Sequence, residues 1–416
     1  MGQIHLENFA NAGSTGEVVV ATPNFQTQAY LFLNGTNSSG ARVGVANHIG
    51  LGTAADQFMC GCRSEEAANP PDSVSRAIDT AMDTFFHAVS PNFEVATLDS
   101  MTATELKFDF SVANSGYNTA FLCFGGLSET PDVREITIGG NGTQTIDLGW
   151  GGAPDLILGT SSWTTATAGS GDEDHGHLGF YASTWDGASE AAGGVFTASE
   201  NDPDGDGSSA NSDTQRAMSE GTWLINSRAT SGRDTSFNVE IVHDPAVATA
   251  GKYQVITTNH AGEGTCHIYL MALRGLRAQF VSEDAPTVQD VAHPVTGAGF
   301  RPTHVMNWNI EHESNTTQNH GGFSLYMADA TNQYGMWMRD KHDAAGAATE
   351  RRWESGRFCR AEDQSTSNNR YLSGLDSLDA DGHTETPTKV NTAIKRGFLY
   401  MVGESADCQL PILGVG

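Results

Sequence analysis

Apolar positions along the chain fall into two kinds of short run, separated by polar stretches rich in Gly, Asn, Ser and Thr. In the first kind apolar and small or polar residues alternate, as in GARVGVAN (40–47), GHLGFYAS (176–183) and GGFSLYMA (321–328). A period of two predicts strands with one face on a core. In the second kind the apolar residues are continuous, as in FLCFGGL (121–127), IYLMALRGL (268–276) and FLYMVGES (398–405). Such runs predict central strands buried on both faces. Further strands are expected at FEVATL (93–98), ELKFDFSVA (105–113), FNVEIVHD (237–244) and KYQVITTN (252–259). One segment, DSVSRAIDTAMDTFFHA (72–88), carries a helical period behind an Asp or Ser N-cap. Its counterparts SDTQRAMSEGTWLIN (212–226) and ATERRWESGRFCR (348–360) lack that period, so strand and helix both stay open there.

The runs recur in a fixed order. Each of three segments opens with a Pro leading a strand, TPNFQTQAYLFLNG (22–35), APDLILGTSSW (153–163) and RPTHVMNWNI (301–310), where the missing N–H does least harm. An alternating strand follows after a polar loop, and a continuous apolar strand closes the segment. From Pro23 to Phe121, Pro154 to Tyr269 and Pro302 to Phe398 the separations are 98, 115 and 96 residues. A period this long is not that of a solenoid. The expected fold is all-β: three tandem β-sandwich, jelly-roll-like domains related by an internal repeat, at residues 1–130, 131–280 and 281–416. Boundaries are placed in the connectors 128–136 and 278–292, and each domain is expected to bury its own core.

Composition narrows the function. The 416 residues carry a formal charge of −28, which repels phosphate and anionic head groups and argues against nucleic-acid partners. Only 17% of residues are charged and 47 are Gly, which fits strands joined by tight turns. Basic residues divide into 5 Lys and 17 Arg, a bias expected of a saline setting and equally of GC-rich coding. The opening MGQIHLENFANAG has neither the basic nor the apolar region of a secretion signal. No apolar run reaches the ~18–20 residues that cross a bilayer, so membrane insertion is not expected. The cysteines (60, 62, 123, 266, 359 and 408) are spread out and read as reduced and buried; CGC at 60–62 sets two sulfurs on one strand face without the CxxC pairs of a zinc ribbon.

Motifs of catalysis are missing: the chain holds no GxSxG, GxxxxGK[ST], HExxH or paired CxxC. GGNG (139–142) reads as a hairpin turn. DPDGDGSSANSD (202–213) places Asp202, Asp204 and Asp206 at alternate positions, a Gly at the sixth and Asp213 at the twelfth, the oxygen-ligand spacing of a Ca2+ loop. Its twelfth residue is Asp rather than a bidentate Glu, and flanking helices are not evident; a solvated acidic insertion is the competing reading. DEDHGH (172–177) offers Asp172, Glu173, Asp174, His175 and His177 as zinc or nickel ligands or as a polar turn feeding a strand. The tryptophans, Trp150, Trp163, Trp185, Trp308, Trp337 and Trp353 among them, suit the core or a sugar platform.

The order carried by APDLILG, HGHLGFYA and IYLMALRGL, and again by RPTHVMNW, HGGFSLYMA and FLYMVG, resembles repeated β-sandwich structural proteins of the virions of tailed phages and archaeal tailed viruses. The first segment departs from it, having no HG and closing on FLCFGGL. The resemblance implies a non-enzymatic virion protein on the particle exterior, in a capsid decoration, turret or tail. It would be assembled in the host cytoplasm beside major capsid or tail proteins, as a homo-oligomer with a trimer expected first. The alternative is a glycan-binding adhesin or receptor-binding protein that uses loops at one end of the sandwiches, with or without Ca2+. A secreted polysaccharide hydrolase is a third class, for which the sequence shows no export route.

Overall fold

The computed structural model describes residues 2–10, 13–36, 45–64, 73–79, 82–84, 94–113, 117–138, 140–163, 175–201, 212–221, 223–229, 233–243, 245–258, 266–310, 318–319, 322–340, 349–362, 369–391 and 394–403. Ten strands form the first group: β1 (Gln3–Ala10), β2 (Gly16–Ala21), β3 (Thr27–Thr36), β4 (Val45–Thr53), β5 (Gln57–Ser64), β6 (Ser73–Ile78), β7 (Met82–Thr84), β8 (Glu94–Met101), β9 (Leu106–Val112) and β10 (Tyr117–Gly125). They pair as a six-stranded sheet, β1-β10-β3-β4-β5-β6, and a four-stranded sheet, β2-β9-β8-β7.

The second group comprises β11 (Asp132–Ile138), β12 (Gly142–Asp147), β13 (Leu156–Trp163), β14 (His175–Trp185), β15 (Glu190–Asn201), β16 (Ser212–Glu220), β17 (Trp223–Ala229), β18 (Arg233–Val242), the one-turn α1 (Pro245–Ala248), β19 (Lys252–Thr258) and β20 (Cys266–Leu273). The third comprises β21 (Arg277–Asp284), β22 (His293–Thr296), β23 (His304–Asn309), β24 (Gln318–Asn319), β25 (Ser324–Asp329), β26 (Gln333–Asp340), β27 (Thr349–Ser355), β28 (Cys359–Glu362), β29 (Asn369–Asp379), β30 (Gly382–Val390) and β31 (Lys395–Val402). Their large sheets run β11-β20-β13-β14-β15-β16-β24 and β21-β31-β23-β25-β26-β27, and their small sheets β12-β19-β18-β17 and β22-β30-β29-β28. Setting aside the two-residue β24, the three groups have one strand order. In each, the first strand pairs with the last and the second with the one before it, a jelly-roll-like winding, while the rest are meanders. The chain is therefore all-β, and every strand pair is antiparallel.

Several details differ from the sequence reading. In residues 72–88, where strand and helix both stay open from sequence, the described residues form β6 and β7, and those of the counterparts form β16 with β17 and β27 with β28. In all three groups this stretch carries the chain from the edge of the large sheet to the edge of the small one, so its polar and apolar positions answer to two sheets in turn. The stretches taken as connectors contain the strands β11 and β21, which open the second and third large sheets. GGNG joins β11 to β12, which lie in different sheets, and is a crossing between sheets instead of a hairpin. Tyr269 is not the counterpart of Phe121 and Phe398: those two face their own sandwich, whereas Tyr269 faces the opposite side of its sheet. Period-two strands make a one-residue slip in such an alignment a change of face.

Each large sheet buries both faces. One face packs on its own small sheet, giving three separate cores around Phe108 and Phe121, around Tyr181 and Tyr253, and around Phe398 and Tyr400. The other faces meet in a single core shared by all three groups, containing Leu31, Leu51 and Phe58 of the first, Leu158, Phe180 and Tyr269 of the second, and Met306, Trp308 and Met401 of the third. The expectation that each domain buries its own core thus holds for only one face of each large sheet. The packing is cyclic: β11 lies against β4 and β5, β21 against β14 and β15, and β1 returns to β25. Phe58 stacks on Tyr269 at 4.6 Å across one seam, and Phe180 meets Trp308 edge-on at 5.4 Å across the next. At the third, the Trp353 ring lies over Gly35, and Asn47 donates to the Trp337 carbonyl at 3.4 Å. The seam between second and third groups is also hydrogen-bonded, because β24 extends the second large sheet beyond β16.

Some of the glycines serve this packing and not turns. Gly397 lies opposite Trp308, and a Cβ there would come within 2.5 Å of the indole; Gly50 lies opposite Phe32 in the same way, at 2.1 Å. The ring of one strand covers the bare backbone of its neighbour, a close approach that a Cβ would block.

Since the first group's second face is covered only by the other two groups, residues 1–127 expressed alone are expected to aggregate, and a soluble, cooperatively melting fragment would contradict the shared core. Trp308→Ala is expected to cost ~3–5 kcal/mol in chemical denaturation of the full chain, and a loss under ~1 kcal/mol would show that the seam had closed around the cavity.

Candidate functional site

The predicted Ca2+ loop falls largely outside the described residues. Asp202, Asp204 and Asp206 lie outside them, and of Asp213 the structure gives the backbone, paired opposite Glu200 in the β15–β16 ladder. The same holds for DEDHGH: Asp172, Glu173 and Asp174 lie outside, and His175 is placed by its backbone in β14. His177 is buried in the second large sheet with its ring stacked on Phe196 at 5.9 Å. Among the described residues no three His, Cys, Asp or Glu side chains come together as a metal site. Cys60 and Cys62 both point into the shared core and so occupy one strand face.

Two clusters have the residue types of a reactive centre. Ser183 Oγ donates to Glu190 Oε1 at 2.7 Å and lies 3.2 Å from His243 Nδ1, while the His243 backbone N–H donates to Glu190 Oε2 at 3.0 Å. A nucleophile and an orienting acid need opposite nitrogens of the imidazole. Here both oxygens approach Nδ1, since Glu190 Oε1 is 3.7 Å from it, and Ser183 and His243 are both buried. The group ties β14, β15 and the end of β18 together. The second cluster sits between the sheets of the third group, where the fully buried Arg396 pairs with Glu385, donates to Glu283 at 2.7 Å and to the Tyr371 hydroxyl at 3.2 Å. Tyr371 and Ser373 also donate to Glu385, at 2.8 and 2.6 Å. Burial pushes the Glu385 carboxyl up, but Arg396, His383 and the Ser373 hydroxyl together hold it below the ordinary value. Neither charge meets solvent, so the cluster fixes sandwich geometry.

A groove of about 660 Å³, open to a ligand, lies at the seam of the second and third groups. It lies at the end of the molecule where the junctions between groups gather: the Gly2 N–H donates to the Gly275 carbonyl at 2.6 Å, and the Ser128 N–H to the Arg274 carbonyl at 2.9 Å. Four short connections line it. Asp155 comes from the turn before β13; Trp185 and Asp186 from the β14–β15 turn; Arg274 and Arg277 from the junction of the two groups; and Phe300 from the connection after β22.

Each charged group there has a defined setting. Asp155 accepts from the Gly275 and Leu276 N–H groups at 2.6 and 3.2 Å; burial nevertheless raises its pKa. Asp186 caps its own turn by accepting from the N–H groups of Ala188 and Ser189, which lowers its pKa. Arg274 pairs with Glu129 at 3.0 Å. The Arg277 guanidinium lies 4.6 Å from the Phe300 ring centre and donates to the Gly299 carbonyl at 2.8 Å. Trp185 is half-buried, with its ring 5.8 Å from that of His243. Aromatic, guanidinium and carboxylate groups on one concave surface can bind a small polar ligand.

Of these residues, sequence reasoning had singled out only Trp185, as one of several platform candidates. The signal for the rest was weak: Arg274 and Arg277 flank the glycine after the most apolar strand, in a chain with few basic residues, and Trp185-Asp186-Gly187 has turn composition.

Four buried histidines make stability pH-dependent. Desolvation brings His177, His243, His304 and His383 down to about 4. Between that value and the ordinary 6.5 the unfolded chain binds protons that the folded chain does not, so stability present above pH 6.5 is lost as pH falls toward 4. Burial raises Asp155 and Glu190, whose contributions run the other way but are fewer. The melting temperature is expected to decline steadily from pH 6.5 to 4, and a flat profile across that interval in a calorimetric series would refute the assignment.

No known protein-family model matches the chain, and no curated protein is significantly similar to it.

Proposed function

We propose that the protein is a non-enzymatic structural component of a tailed-virus particle, exposed on its exterior as a capsid decoration, turret or tail part, and that a single chain supplies the threefold geometry such a position uses. The observation that carries this reading is the cyclic closure of three groups with one strand order around a shared core. A closed cyclic body of this kind buries both faces of each large sheet and presents three similar sides, each the outer face of a small sheet, to a symmetric platform. The strand order of the middle and last groups also accompanies the motifs that resemble virion β-sandwich proteins. An acidic surface suits the outside of a particle better than contact with packaged DNA. The groove at the second seam favours a second reading, a receptor-binding protein that recognises a host surface glycan.

Cryo-electron microscopy of particles from the source tests both. A three-sided density accommodating one chain at each of many symmetric positions on the capsid is expected of decoration, and density at the tail tip is expected of receptor binding. On this reading the threefold lies within one chain in place of the homotrimer expected from sequence, and native mass spectrometry is expected to give the 44.1 kDa chain alone. Absence of the chain from every particle would overturn the virion reading, and a stable complex of three chains would overturn the single-chain threefold.

A further inference from the structure

Among the described residues, the side chains that line the groove are not repeated at the equivalent strand ends of the other seams. The strand order sets each group beside the next in the same way, so a feature required for folding at one seam has counterparts at the others. The position held by Trp185, the last residue of β14, is held by Thr53 at the end of β4 and by Asp329 at the end of β25. The position held by Arg277, the first residue of β21, is held by Gln3 in β1 and Asp132 in β11. At these two strand-end positions an indole and a guanidinium therefore occur together at one seam of three.

The chemistry of the lining limits what fits. A volume of about 660 Å³ is within the range of small-molecule sites, about 300–1,000 Å³. A purely apolar ligand would strip water from Arg277, Asp155 and Asp186 and return no hydrogen bonds. An anion would gain little: the two arginines face two aspartates, Arg274 is already paired with Glu129, and the chain as a whole carries −28. A ligand with one apolar face and a rim of hydroxyls meets both demands. Its ring stacks on Trp185, its hydroxyls accept from Arg277 and donate to the aspartates, and no net charge is required. Arg277 is held in place by Phe300 and the Gly299 carbonyl before any ligand arrives, so little side-chain entropy is lost on binding.

We infer that this groove is a binding site for a neutral saccharide of a few hexose units, with Trp185 as the stacking platform and Arg277 as the hydroxyl donor. The inference does not rest on the virion reading, because a saccharide site at this seam would serve an adhesin equally.

The test uses the full chain and two panels, neutral gluco-, manno- and galacto-oligosaccharides and hexuronate oligosaccharides, read by saturation-transfer NMR and by titration calorimetry. At least one neutral oligosaccharide is expected to bind, with affinity reduced tenfold or more in Trp185→Ala and in Arg277→Met. Since Trp185 also packs against His243, the second variant carries the test if the first melts early; Arg277→Met keeps an aliphatic stem over Phe300 and is expected to melt with the parent chain. Absence of binding to both panels, binding of hexuronates alone, or neutral binding that Arg277→Met leaves unchanged would each overturn the assignment. None of these outcomes bears on where the chain sits on a particle.

Discussion

Everything in this molecule depends on burying the second face of each large sheet. A four-stranded sheet covers one side of a six-stranded one, and the other side would be left to water with Leu31, Leu51, Phe180 and Trp308 exposed. The three groups solve this together by turning those faces inward on one another. Closure is cyclic because the first strand of each group packs against the group before it, and β1 completes the ring against the third group.

This constraint explains the composition better than turn chemistry does alone. Rings such as Trp308 and Phe32 lie across neighbouring strands and need glycine beneath them, so Gly397 and Gly50 are interior positions of buried sheets. It also explains the acid sensitivity. His177 and His304 are placed on sheets with both faces covered and His383 faces the interior between two sheets, where a charged imidazole has no water, and they are neutral for that reason. Charges that are buried, such as Arg396 and Glu385, come as a pair with further donors around them.

Three groups with one strand order have diverged where the fold leaves freedom. The third holds the Arg396 network between its sheets, whereas the second ties β14 to β18 through Ser183, Glu190 and His243. The residue-type inventory of the latter matches a hydrolytic triad, and the geometry does not, which shows why such constellations are judged on which nitrogen each oxygen meets. The ends of the strands near the junctions diverge most usefully, because short turns there can change side chains without disturbing either core.

Periodicity alone determined that the chain is all-β, where many of its strands run and which of them are central, because strand patterning is local and a strand buried on both faces has to be continuously apolar. Sequence could not say what covers the second face, since the same apolar run results whether a helix, a small sheet or another group lies over it. Nor could it settle residues 72–88, whose pattern serves two sheets in succession, or the register of Tyr269, where one residue changes the face. The groove was the least legible of all. Asp155, Trp185, Arg277 and Phe300 come from four turns separated by up to 145 residues, and only the meeting of two sandwiches at one seam puts them on a single surface.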